Sequence, residues 1–227
     1  MKEYYTRSIP VSPRIGKLKE DLFAKMPQME ADRAELLTES YQQTEGLPII
    51  TRRAKAFAHI LKHIPIVIRD HELIVGSNTV APRSSQAFPE FSFQWVADEF
   101  DTMETREADP FYISEDTKQR LAKAFQYWEG KTTSDLATSY MTPETLTAIE
   151  HNIFTPGNYF YNGVGHVTVC YGKILQVGFE GIIEEAKAAL AKCNPGDADF
   201  ARRSHFLEAV IESCEAVIGY AHRYSEL

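Results

Sequence analysis

The chain has 227 residues, 44% of them hydrophobic and 25% charged, with a formal net charge of −8 and a pI near 5.4. This is enough chain for one large domain or two small ones, and the balance is that of an ordinary globular protein. An acidic chain whose one short basic cluster is "RRAK" at 52–55 argues against a nucleic-acid binder, and no apolar run approaches a membrane span. Three cysteines without CxxC pairing exclude a disulfide framework and a zinc site; with no apolar leader at the N-terminus they point to the cytoplasm.

A Pro-punctuated arm (Pro10, Pro13) leads into a helix from Arg14 through Ile15, Leu18 and Leu22, stopped by Pro27. A second helix spans about Ala31 to Gln43, closed by Gly46 and Pro48, and a third, "TRRAKAFAHILKHI", ends before Pro65. The runs Ile66–Ile68 and Leu73–Val75, with "RDHE" between them, predict a small hairpin. Residues 77–92 read as an irregular segment broken by Pro82 and Pro89, of a length that is often functional. Helices resume at "FQWVADEFDTM". Ser114 caps "EDTKQRLAKAFQYWE", and Thr142-Pro143 opens "ETLTAIEH". "YGKILQVGFEGIIEEAKAALAKC" predicts one long helix, broken by "NPGD". The last helix puts Phe206, Leu207, Val210, Ile211, Cys214 and Val217 on its buried side. It carries no C-cap signal, as expected of the front portion of a longer chain. The fold class is mainly α with a few short strands.

Between the last two signals lies "GNYFYNGVGHVTVCYGKIL", residues 157–175. No phosphate loop, nucleophile elbow or HExxH motif occurs in the chain. His166 falls in a short predicted strand with Val164 and Thr168 on its side, and Gly163 and Gly165 leave room beside it. Spacing alone favours a structural, half-buried histidine. Cys170 is four residues on, roughly 13 Å along an extended chain, too far for a direct nucleophile–base pair. It reads as a small buried side chain at a helix start. His59 and His63 have metal-ligand spacing, but no partner motif accompanies them and they read as surface residues, so no metal is expected.

Five ordered blocks carry a resemblance: "LLTESYQQTEGLPIITRRAKAFAHIL", "IRDHELIVGSNTVAPRSSQAFPEFSFQWVADEFD", "ISEDTK", "YWEGKTTSDLATSYMT" and "GNYFYNGVGHVTVCYGKILQVGFEGIIEEAK". Together they resemble the N-terminal part of the glycyl radical enzymes of the pyruvate formate-lyase-like superfamily, nearest to the coenzyme-B12-independent glycerol and propane-1,2-diol dehydratases. The resemblance implies that residues 1–227 are the N-terminal helical portion of a pyruvate formate-lyase-type domain, which in the family is a ten-stranded α/β barrel wrapped by helices. It implies a lyase of anaerobic metabolism that removes water from a small diol. The glycyl radical of the family is installed by an S-adenosylmethionine iron–sulfur activating enzyme, and the enzymes are expected to be homodimers.

The same resemblance makes His166 the catalytic and substrate-binding residue, beside the leaving hydroxyl, and so reverses the structural reading. It gives none of Cys170, Cys193 or Cys214 the thiyl role, because the glycyl-radical and thiyl segments are not in this sequence. The dehydratases it resembles carry an aspartate where "VCYGK" has Cys170. The isolated chain is expected to be inactive by itself. The alternatives are a catalytically incomplete helical module for structure or interaction, and a related radical C–N or C–C lyase.

Overall fold

The computed structural model describes residues 10–156 and 168–227. The expected strand around His166 lies outside the described residues. Helix α1, Pro13–Phe23, opens on Ser12, whose hydroxyl accepts from the amide of Ile15, with Pro13 at the first helical position. Strand β1, Gln28–Glu30, leads into α2, Asp32–Gln43. Helix α3, Ile49–His63, stops where Ile64 turns extended ahead of Pro65. Strand β2, Ser84–Gln86, precedes the short α4, Gln94–Asp98, and a 3₁₀ turn at Met103–Thr105. Helices α5, Glu115–Trp128, and α7, Pro143–Glu150, start on the expected caps Ser114 and Thr142. Helices α8, Tyr171–Leu190, and α9, Phe200–Glu226, complete the described order.

Helix α6, Thr133–Ser139, was not among the expected elements. Its signal is a capping box: the Thr132 hydroxyl accepts from the Asp135 amide, and the Asp135 carboxylate accepts from the Thr132 amide. Thr132→Ala removes this reciprocal cap and should lower stability by about 1 kcal/mol, read as a lower denaturant midpoint at unchanged slope.

The core lies between the amide-rich strands and α2 and α5. Leu121 and Ala34 are fully enclosed, and Phe125 stacks on Phe93 at 4.8 Å between ring centres. A second cluster, Leu37, Tyr41, Ala56 and Trp128, joins α2, α3 and α5, and the Trp128 indole donates to the Thr38 hydroxyl at 2.9 Å. Helix α9 packs along both α3 and α8. Its Arg223 donates to the carbonyls of Leu61 at 2.6 Å and Ile64 at 2.8 Å, satisfying groups that α3 leaves open at its end.

The expected hairpin does not form. Ile66–Ile68 and Leu73–Val75 run as irregular chain, and Leu73 and Ile74 point outward. Arg69 pairs with Glu72 across a turn in which His71 has φ 69°, and its guanidinium takes the carbonyls of Thr79 and Val80. The sheet among the described residues is instead the parallel pair β1–β2, in register Gln28↔Ser84, Met29↔Ser85 and Glu30↔Gln86. Its sequences, "QME" and "SSQ", hold no β-branched residue, so nothing local announces them. No helix of the described residues is long and apolar enough to cross a membrane.

Candidate functional site

His166, the residue assigned the chemistry, lies in segment 157–167, outside the described residues. What the structure describes is how this segment is held at either side. On one side α7 ends at His151, Asn152 takes φ 55°, and Ile153 and Phe154 stand exposed. On the other, Thr168 and Val169 lead irregularly to Cys170 at the N-cap of α8. Cys170 sits at the helix start as expected, but it is exposed rather than buried, because the first turn of α8 presents its side chains outward.

Helix α8 is not the single straight rod that its apolar stripe predicts. Gly178 has φ 64° and ψ −176°, which breaks the helix into an arm, residues 171–177, and a body, residues 179–190. The body keeps the expected inward face, with Ile183 and Ala186 buried, while Tyr171 and Leu175 on the arm are exposed. On α9 the inward face carries Ser204, Ala209, Cys214 and Tyr224; Phe206, expected there, is exposed.

The three cysteines differ in setting: Cys170 is exposed, Cys193 half-buried and Cys214 buried. Cys214 is buried, and that burial, with Glu215 nearby, pushes its thiol up. Cys193 directs its thiol at the Ala189 carbonyl, at 3.6 Å. His59 and His63 lie close, with ring centres 4.6 Å apart, and the His59 Nε2 is 3.1 Å from a Glu39 oxygen. Partial burial, then the neighbouring His59 and Lys62, pull His63 below its ordinary 6.5. Among the described residues no group of three or more His, Cys, Asp or Glu is arranged to hold a metal ion.

The polar constellation that the sequence did not reveal is built around Glu30. This buried carboxylate accepts from the amides of Val80 and Ala81, each at 2.9 Å, and from the Gln86 side-chain amide at 3.2 Å. Gln86 passes the network on: its Nε2 donates to the Asn78 carbonyl, and its Oε1 accepts from the Arg33 amide. Arg33 closes it with a forked pair to Glu90 and a guanidinium 3.9 Å above the Phe88 ring. The irregular segment 77–92, which its length marks as a functional candidate, is therefore anchored from inside. Its backbone groups are bound by Glu30, Arg33, Arg69 and Gln86.

The comparisons with known proteins bear on the whole chain. The family model described as pyruvate formate lyase-like matches residues 5–227. A solved structure of 1,2-propanediol dehydration in Roseburia inulinivorans is 59% identical, with a TM-score of 0.91 over 96% of this chain and 26% of that one. The glycerol-bound B12-independent glycerol dehydratase from Clostridium butyricum is 55% identical, with a TM-score of 0.90 over 97% of this chain and 28% of that one. Among curated proteins, the (2S)-3-sulfopropanediol dehydratase of Klebsiella oxytoca is 32% identical over 95% of this chain and 27% of its own length. The chain thus spans about a quarter of the length of the relatives it matches. The helical architecture, the ordered blocks and the match across nearly every residue agree: the chain belongs to the pyruvate formate lyase-like family, alongside the glycyl radical dehydratases.

Proposed function

We propose that this chain is part of a glycyl radical lyase that removes water from a small diol, glycerol or propane-1,2-diol, with His166 as the proton donor to the departing hydroxyl. The observation that carries the diol is the gap in identity. The structures of propanediol dehydration and of glycerol dehydratase stand at 59% and 55%, whereas a hydroxyproline dehydratase stands at 29% and an isethionate sulfite-lyase at 30%. The radical, installed by an S-adenosylmethionine activating enzyme, supplies hydrogen abstraction and resides outside these 227 residues, in a barrel to which they contribute one wall; the whole enzyme works as a cytoplasmic homodimer. The thiyl role is assigned to none of the cysteines of this chain, whose contexts are not the thiyl segment of the family.

What this chain contributes is proton handling. Hydroxide is a poor leaving group, so loss of water needs an acid held at the departing oxygen. An imidazole titrates near neutrality and serves that purpose. The glycines at 163 and 165 in the sequence carry no side chain, which suits the close approach of a substrate.

The test is a substrate panel on the whole enzyme, activated without oxygen. Propane-1,2-diol should yield propanal and glycerol 3-hydroxypropanal, each with one water lost, and isethionate should release no sulfite. Sulfite and acetaldehyde from isethionate, with no propanal or 3-hydroxypropanal from the diols, would overturn the diol assignment.

A further inference from the structure

Helix α3 carries an apolar stripe that the described residues leave partly open. Ile49, Ala56, Phe57, Ile60 and Ile64 recur at helical spacing. Ala56 and Ile64 are buried, but Ile49 and Phe57 stay 56% and 41% exposed. Helix α9 packs on α3 through residues off this stripe, Lys55 among them, which pairs with Glu212. The stripe instead lines a groove of about 850 Å³. Segment 77–92 contributes Phe88 and Phe91 to the same groove, and Phe88 is also exposed. An apolar hollow of this kind, set in an ordered scaffold, marks a contact surface.

The polar side chains of the groove narrow what can fill it. Arg33 is held by Glu90, and Thr133 donates to the Glu90 carbonyl. Arg53 pairs with no carboxylate among the described residues, and Lys131 reaches Glu45 only at 3.8 Å. The groove thus offers apolar area and two weakly matched cations, in a chain of net charge −8. A small polar ligand finds few groups converging on it there. A second copy fits badly as well: two-fold pairing of groove on groove sets hollow against hollow, and Arg53 and Lys131 against their own copies. We propose that the groove is filled by a stretch of the whole enzyme's own chain from outside these 227 residues, an apolar stretch with a carboxylate placed at Arg53. The chain spans 26% and 28% of the two dehydratase structures it matches, so most of the polypeptide able to cover the groove lies outside it. This rests on the proposed function only in that the chain is part of a longer enzyme; neither the diol nor His166 enters.

Benzoylphenylalanine in place of Phe57, in the whole enzyme, reads the occupant without reference to activity. On illumination its ketone takes hydrogen from a neighbouring C–H bond and the two carbons join, leaving a tertiary alcohol. The adduct should run at the mass of one chain on a denaturing gel. Its peptide map should join residue 57 to a peptide from outside residues 1–227. An adduct of two-chain mass, one mapped within residues 1–227, or one to a different protein overturns the proposal. Failure of the diol assignment in the substrate panel leaves this map untouched, so the two fall separately.

Ile49→Asp gives a second, independent measurement. Ile49 is the first residue of α3, where a carboxylate complements the positive end of the helix dipole. In the 227-residue chain alone the substitution should leave the melting midpoint unchanged or raise it. In the whole enzyme the same carboxylate is shut against apolar polypeptide, and the midpoint should fall by several degrees. Arg53→Glu should also lower the midpoint of the whole enzyme, by setting like charges together, and leave that of the 227-residue chain unchanged. An unchanged midpoint for either variant in the whole enzyme overturns the proposal.

Discussion

Replacing His166 with alanine in the whole, activated enzyme should lower kcat on propane-1,2-diol or glycerol by about 10²–10⁴-fold, the usual contribution of a positioned general acid. The loss should fall on kcat more than on KM, because proton donation to the departing hydroxyl develops in the transition state and is weak in the ground state. His166→Gln is the informative companion. It keeps a hydrogen-bond donor of similar reach but has no proton to release near neutral pH. If His166 only binds the diol, Gln should retain most of the turnover; if it donates the proton, Gln should fail nearly as badly as Ala. Electron paramagnetic resonance on each activated variant checks that the radical is formed, which separates a lost acid from a lost activation. Turnover by His166→Ala at the unsubstituted rate ends the assignment.

The second large effect is on stability. Glu30→Ala should destabilise the fold by about 3 kcal/mol. The carboxylate is buried and both its oxygens are engaged, by the Val80 and Ala81 amides and the Gln86 side chain. Truncation leaves two main-chain donors and one side-chain donor facing a gap, and an unsatisfied buried donor costs about 1–3 kcal/mol. The cost should reach past residue 30. The Gln86 amide also supports Asn78 and the start of α2 at Arg33, so the register Glu30↔Gln86 loses its side-chain clasp as well. Glu30→Gln keeps the volume but presents one donor face to a site made of donors, and should fall between the two. Denaturant melts of the three proteins at equal slope give the ordering; equal midpoints for Glu30→Ala and the unsubstituted protein would show that the network contributes nothing net.

The two predictions differ in what makes them visible. Glu30 could be assigned only from coordinates. In sequence it is one carboxylate at the end of "QME", and its partners are about 50 residues away, in a stretch that reads as loop. No rule of spacing joins a strand of three residues to amides that distant. His166 is the opposite case. Nothing in its spacing separates it from a structural histidine; the block "GVGHV" and its resemblance to the dehydratases mark it, and the described residues supply only its flanks.

Helix starts and stops were legible from sequence because each depends on neighbours within four residues. Ser114 and Thr142 cap helices as their side chains predict, Ile64 stops α3 before Pro65, and the 3.6-residue apolar period placed the inward face of the second half of α8. Family membership was legible for a related reason: ordered blocks of identity need no geometry to be read. What tertiary structure alone decided were pairings and directions. The strand pair β1–β2, the outward turn of Leu73 and Ile74, and the bend that brings Lys173 to Glu185 each depend on which distant groups take up backbone hydrogen bonds or close space. Those contacts are worth their energy only once the chain has folded, so local propensity carries no trace of them.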